Sequence, residues 1–97
     1  MKTFVLNCAQ LHFREQAHLY LAQALEFPEY YGKNLDALFD CLTDLGECTI
    51  VLTGIEALFQ PESYGKKVLD VLEEAAWANP NLTLEFQAAE ASEETSE

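Results

Sequence analysis

Three short apolar runs, separated by segments with helical spacing, constrain what this chain can fold into more than any other feature. Residues 3–6 (TFVL), 49–53 (TIVLT) and 82–86 (LTLEF) have the β-branched and aromatic composition that is typical of strands. Strands that are separated by helices pair in parallel, because the chain must cross the sheet between them. Residues 49–53 are the most uniformly apolar run, which predicts a central strand buried on both faces. We therefore expect a single small α/β domain, a three-stranded parallel sheet packed with helices.

The segments between the predicted strands have the spacing of apolar residues that is typical of helices. Residues 12–26, the residues after Asn34 and residues 64–78 carry apolar side chains three or four positions apart, which predicts helices. Asn34 and Ser63 are typical N-cap residues for the second and third of these helices. A shorter helical turn is expected at residues 55–60.

The length of the chain and the composition of its C-terminal residues predict the domain boundaries. A chain of 97 residues has room for one hydrophobic core. Residues 88–97 (AAEASEETSE) contain only Ala, Ser, Thr and Glu, which is typical of a disordered segment. We therefore expect a folded domain over residues 1–87 and an acidic disordered tail over residues 88–97.

The charge of the chain restricts the kinds of partner that it can bind. There are 17 acidic residues against 5 Lys and Arg, for a formal net charge of -12. Leaving out the four glutamates of residues 88–97 still gives -8 for residues 1–87. Phosphate binding needs cationic side chains, so neither nucleic acid nor an anionic membrane surface is expected as a direct partner. A basic protein is the partner that this charge favours.

The cysteines and histidines indicate neither a disulfide framework nor a metal site. The chain has three cysteines, Cys8, Cys41 and Cys48, and no CxxC pair. We interpret them as small buried apolar side chains in a reduced, cytoplasmic protein. His12 and His18 fall in the first predicted helix and are expected at its surface or half-buried. No apolar run is long enough for a signal peptide or a membrane span, and we expect no metal and no cofactor.

Residues 28–44 hold the densest group of side chains that are not expected in the core. Asp36 and Asp40 are four residues apart and therefore share one helix face. Phe39 is expected on the side opposite the apolar stripe, between these two carboxylates. Tyr30 and Tyr31 lie in the preceding loop. Aromatic rings among carboxylates on an outward face are typical of a protein interaction site.

The acidic pair Asp36 and Asp40 has two other interpretations. Asp36 and Asp40 could act as an acid–base pair or hold a divalent cation, but a helix surface is a convex ridge rather than a pocket. No nucleotide-binding, zinc-protease or serine-hydrolase motif occurs, so an enzyme is not expected. A second acidic patch, on the last predicted helix, consists of Asp70, Glu73 and Glu74.

Residues 28–43, PEYYGKNLDALFDCLT, resemble the signature segment of the barstar family, small cytosolic inhibitors of secreted bacterial ribonucleases. The family pattern is close to PEYYG-x-NLDALWDCLT, so Phe39 stands in the place of a Trp. Asp44 stands where the best-known member has Gly. The resemblance extends over most of the chain and includes a final helix resembling residues 66–76.

This resemblance implies an inhibitor whose second helix and preceding loop plug the active site of a small basic extracellular-type ribonuclease. The complex is expected to be 1:1, and the free inhibitor is expected to be a monomer. Acidic groups take the places of the RNA phosphates, with Asp40 in the phosphate site. The positions that the resemblance assigns to the contact are Tyr30, Tyr31, Asn34, Asp36, Phe39, Asp40, Thr43, Asp44 and Glu74.

The alternative keeps the same fold and changes the partner. A barstar-like module could bind another basic protein, such as a toxin or a regulatory protein without ribonuclease activity. This alternative is favoured by Phe39 and Asp44, where the sequence departs from the family pattern.

Overall fold

The computed structural model describes residues 2–87. The tail expected at residues 88–97, and with it the predicted domain boundary, lies outside the described residues. Short 3₁₀ helices follow the first strand at Cys8–Leu11 and the second at Ile55–Phe59. The strands and α-helices, in chain order, are β1 (Lys2–Asn7), α1 (Arg14–Ala24), α2 (Leu35–Thr43), β2 (Cys48–Thr53), α3 (Gly65–Ala78) and β3 (Leu82–Gln87).

The sheet has the order β1-β2-β3, and both pairs of neighbours are parallel. In the register of the sheet, Ile50 of β2 lies between Phe4 and Leu84. The prediction of a three-stranded parallel sheet with the second strand at its centre is therefore confirmed.

The helices cover one face of this sheet. Leu6, Ile50 and Leu52 point to that face and are almost completely buried, whereas Val5 on the other face is 58% exposed. Burial of β2 on both faces, which its apolar sequence predicts, holds at Thr49 but not at Val51, which is only half-buried. The reason is that the second face has no layer of helices to cover it.

The first helix begins later than its apolar pattern predicts. Residues 8–11 form a 3₁₀ helix, and Phe13 is the N-cap residue of α1 with an extended backbone, at φ -104 and ψ 138. Phe13 is 65% exposed and does not belong to the buried face of α1. His12 lies before the helix, so its predicted place in α1 is wrong. The apolar pattern included Phe13, and without it the first apolar residue on the buried face of α1 is Ala17.

The start of α3 is packed closely against both 3₁₀ helices. Ser63 accepts a hydrogen bond from the backbone N–H of Gly65 at 3.1 Å, but the N-cap residue is Tyr64, one position later than predicted. A Cβ atom at Gly65 would lie 2.5 Å from a methyl carbon of Leu58 and 3.3 Å from the Cβ of Leu11. This approach depends on the absence of a side chain at Gly65.

The cysteines are free, and the predicted burial is confirmed for Cys8 and Cys48 but is wrong for Cys41. Burial, with a smaller contribution from the charge of Glu56, raises the pKa of the Cys8 thiol to about 11. Burial also raises the pKa of Cys48. Cys41 is only half-buried. No helix among residues 2–87 has the length and the apolar character that crossing a bilayer requires.

Candidate functional site

Asn34 fixes the point at which α2 leaves the preceding loop. Its side-chain oxygen accepts a hydrogen bond of 2.7 Å from the backbone N–H of Ala37, which confirms the predicted N-cap. Asp36 lies in the first turn, where the positive end of the helix dipole favours a carboxylate. The local sequence therefore determines both the start of α2 and the stability of its first turn.

The two adjacent tyrosines of the loop have opposite environments. Tyr30 is 87% exposed, whereas Tyr31 is 6% exposed. The Tyr31 hydroxyl lies 2.7 Å from Nδ1 of His18, and the ring of Tyr31 packs on Phe27. The ring of Tyr30 is therefore open to solvent, and Tyr31 supports the loop from inside.

His18 connects three parts of the molecule. Its ring is 1% exposed, with Nδ1 hydrogen-bonded to Tyr31 and Nε2 2.8 Å from the hydroxyl of Tyr64. These contacts join α1, the loop before α2 and the start of α3. Burial, with a smaller effect from the charge of Arg14, lowers the pKa of His18. The expectation of a surface or half-buried histidine is wrong. The signal was its position directly after Ala17, on the buried side of α1.

Phe39 lies on a different side of α2 than the sequence interpretation placed it. Four residues turn an α-helix by one full turn plus about 40°, so Phe39 lies beside Leu35 rather than opposite to it. The structure shows Phe39 half-buried and packed against the core. Its ring lies between α2 and α3 and is not isolated on an outward face.

A groove between α2 and α3 brings four of the predicted contact residues together. Asp36, Phe39 and Asp40 contribute from α2, and Glu74 contributes from α3. We call it the acidic groove, and its lining residues are Leu35, Asp36, Phe39, Asp40, Val71 and Glu74. The expected convex ridge is therefore one wall of a groove, because α3 packs beside α2.

Asn79 holds the two helices together at their C-terminal ends. It is 4% exposed, and its side-chain nitrogen donates to the carbonyl oxygens of Leu42 at 3.0 Å and Leu45 at 3.1 Å. These bonds tie the end of α3 to the last turn of α2, where the Leu42 carbonyl also accepts from the backbone N–H of Leu45 at 3.3 Å. The relative position of α2 and α3 therefore depends on a buried amide as well as on apolar packing.

Thr43 and Asp44 lie at the far end of α2 from the loop. The hydroxyl of Thr43 donates to the backbone carbonyls of Phe39 and Asp40, both at 3.1 Å. Asp44 is exposed and caps the helix C-terminus, where the dipole disfavours a negative charge. Burial and the charges of Asp40 and Asp44 raise the pKa of Cys41. These residues are not in the acidic groove, and the length of α2 separates Thr43 from Asn34 by roughly 13 Å.

The carboxylates of the acidic groove have no basic partner within the described chain. Among residues 2–87 an ion pair forms only between Lys2 and Glu26, at 3.0 Å. In the same part of the chain, no three His, Cys, Asp or Glu side chains are grouped so that they could hold a metal ion. The charges of Asp36, Asp40 and Glu74 are therefore available to an external cation.

Trp77 is a surface residue that the sequence interpretation missed. It is 90% exposed on α3. The sequence alone could have placed it on the acidic face of this helix. Trp77 follows Asp70 by seven residues and Glu74 by three, which puts all three on one side.

Two comparisons with known proteins match this chain over most of its length. The family model described as Barstar (barnase inhibitor) matches residues 1–93. The protein named "Putative ribonuclease inhibitor YrdF" of Bacillus subtilis (strain 168) is 37% identical over 89 residues. That alignment covers 90% of this chain and 96% of the relative.

Proposed function

The chain belongs to the barstar family, and from that premise we propose that it inhibits a small basic bacterial ribonuclease of the secreted type. The inhibitor binds the enzyme 1:1 and covers its RNA-binding active site with α2 and the loop before it. The observation that carries this proposal is the grouping of Asp36, Asp40 and Glu74 around Phe39, with no basic partner of their own among residues 2–87.

The chemistry of a ribonuclease active site explains why the acidic groove is complementary to it. An enzyme that cleaves RNA binds a polyanion and therefore has cationic side chains in its active site. Asp40, exposed on α2, enters the phosphate site and pairs with an Arg, which can donate two parallel hydrogen bonds to one carboxylate. Asp36 and Glu74 extend the negative surface on either side of it. The carboxylates thus occupy positions that phosphates occupy in the substrate.

The loop and the ends of α2 complete the contact. Tyr30 offers an exposed aromatic ring with a polar tip, a residue type that is enriched in interfaces. Tyr31 acts mainly by holding the loop, and Asn34 by fixing the start of α2. Thr43 and Asp44 form the edge of the contact at the other end of the helix.

The cysteines and the net charge indicate where the inhibitor resides and that it is monomeric when unbound. The free thiols of Cys8, Cys41 and Cys48 suit a reducing compartment, so we place the inhibitor in the cytoplasm. There it is a monomer until it meets the enzyme, since a strong net charge keeps copies of one protein apart.

A titration into a small guanyl-specific bacterial ribonuclease tests the proposal. RNA cleavage is followed as inhibitor is added at low salt, and calorimetry of the same mixture counts the molecules bound. We expect activity to fall linearly and to be lost at one inhibitor per enzyme. Full activity with excess inhibitor at low salt would contradict the proposal for this class of enzyme and would favour a basic partner without ribonuclease activity.

A further inference from the structure

The only tryptophan of the chain, Trp77, is 90% exposed on the same side of α3 as the carboxylates of Asp70 and Glu74. A tryptophan ring has the largest apolar surface among the side chains, and tryptophan is enriched where proteins bind each other. No contact within residues 2–87 accounts for an indole in this place. Its exposure therefore points to a contact with another molecule.

The position of Trp77 makes it continuous with the acidic groove. A second groove between α2 and α3, which we call the Trp77 groove, is lined by Phe39, Asp70, Glu73, Glu74, Trp77 and Ala78. Phe39 and Glu74 line both grooves. One surface therefore runs from Asp40 on α2, past the Phe39 ring, to Trp77 near the end of α3.

The charges around Trp77 indicate which chemical group this surface binds. Every charged residue that lines the Trp77 groove is acidic, and none of them forms an ion pair with a basic side chain of residues 2–87. A flat aromatic ring beside carboxylates suits a guanidinium, which stacks on the ring face while its N–H groups donate to a carboxylate. An ammonium group is a compact, strongly hydrated charge and uses the ring less well.

We propose that Trp77, together with Asp70 and Glu73, which line the Trp77 groove but not the acidic groove, binds an arginine side chain of the ribonuclease that α2 engages, outside the RNA-binding site. The guanidinium lies on the indole and donates to one of the two carboxylates. This inference rests on the proposed function, because it places the arginine on the same partner. It makes α3 a surface that distinguishes one ribonuclease from another, since an arginine outside the active site is not needed for RNA cleavage.

Three variants test the proposal by calorimetry with a small guanyl-specific bacterial ribonuclease. Trp77→Ala should raise the Kd roughly tenfold, since stacking on the indole is lost. Trp77→Leu should behave like Trp77→Ala, because it restores an apolar side chain without an aromatic face. Phe59→Ala is the matched control, an equally simple truncation of a 76% exposed ring outside both grooves, and should leave the Kd unchanged. Alanine is the best helix former, so α3 keeps its structure.

Direct observation of Trp77 is possible because the chain has one tryptophan. Protein labelled with 5-fluorotryptophan gives one fluorine resonance, whose shift between H₂O and D₂O reports exposure. Mixing with unlabelled ribonuclease should abolish most of that solvent shift. The unlabelled enzyme contributes no signal.

The outcomes separate this inference from the proposed function. If wild type binds 1:1 and inhibits, but Trp77→Ala binds equally well and the fluorine resonance stays exposed, the Trp77 inference is overturned and the inhibitor function stands. If Trp77→Leu binds like wild type while Trp77→Ala is weaker, the occupant is apolar and the arginine is overturned. If wild type does not bind this ribonuclease at low salt, the proposed function for this enzyme class is overturned, and the inference with it.

Discussion

The histidine at position 18 shows how much one buried polar residue does to hold the loop before α2. It is hydrogen-bonded through both ring nitrogens, to Tyr31 of the loop and to Tyr64 at the start of α3. A neutral imidazole donates through one nitrogen and accepts through the other, so the two hydroxyls have complementary roles. The loop that presents Tyr30 is therefore held from below by a polar network without unsatisfied side-chain atoms among the described residues.

Protonation of His18 should destabilise the fold in mildly acidic solution. Its pKa is lowered in the folded state by burial and by Arg14, so the unfolded chain binds the proton more readily. The stabilisation is complete above the unfolded value of about 6.5 and is lost as the pH falls from there toward the folded pKa. Arg14, Glu15 and Lys33 are the charged residues that line the adjoining pocket. Urea unfolding between pH 7 and pH 5 measures the effect.

Substitution of this histidine gives the control for the pH experiment. His18→Gln lacks the titrating group, so its free energy of unfolding should change less over the same range, from a lower starting value. An equal slope in wild type and His18→Gln would show that the pH dependence has another origin.

At the scale of elements, the close contact at Gly65 determines how α3 approaches the 3₁₀ helices. A Cβ atom there would overlap a methyl group of the buried Leu58 and press on Leu11. Gly65→Ala should therefore lower the free energy of unfolding by about 1–3 kcal/mol, in spite of the better helix propensity of alanine. Chemical denaturation of the purified variant gives this number.

Gly46 provides the comparison, since a Cβ atom at that position would meet nothing within 4 Å. Gly46→Ala should be neutral or slightly stabilising, because it restricts the unfolded chain without a clash. If the two alanine variants were equally stable, the packing assigned to Gly65 would be wrong.

Elements with a local signal were predictable from the sequence, and elements set by tertiary packing were not. The Asn34 cap and the central strand β2 depend on neighbours in the chain, so their patterns are readable. The place of His18 on the buried side of α1 has a local signal, but its hydrogen-bond partners are tyrosines 13 and 46 residues away, and no local pattern records those contacts. Phe39 is different, because simple helix geometry already places it beside Leu35.

The acidic groove is set by tertiary packing, so the sequence alone could not predict it. The sequence predicts its residues separately, Asp36 and Asp40 on one helix and Glu74 on another. Their grouping depends on α3 packing beside α2, which the buried amide of Asn79 helps to fix. A pattern within either helix cannot specify that arrangement.

At the scale of the whole molecule, the net charge of -12 should govern the rate of complex formation. A strongly acidic inhibitor attracts a basic enzyme over distances that salt screens, and the screening length is about 8 Å at 0.15 M ionic strength. Stopped-flow mixing with the ribonuclease should give an association rate that falls roughly tenfold or more between 0.05 and 0.5 M salt. The dissociation rate should change much less, because paired groups in the contact are shielded from solvent.

An association rate that does not depend on salt would contradict this role of the charge. The variant Glu85→Gln, altered on the open face of the sheet, removes one negative charge far from both grooves. It should slow association slightly and leave dissociation unchanged.

The most direct test of the central claim compares Asp40→Ala with Glu85→Ala as inhibitors of a small guanyl-specific ribonuclease. Both residues are exposed and both variants change the net charge by the same amount, so long-range attraction is matched. In the proposed complex, removing Asp40 leaves buried cations of the enzyme unpaired, at a cost of about 3–5 kcal/mol. The Kd of Asp40→Ala should therefore rise about a hundredfold or more, with Glu85→Ala close to wild type. Equal inhibition by the two variants would show that the acidic groove is not the surface that blocks the enzyme.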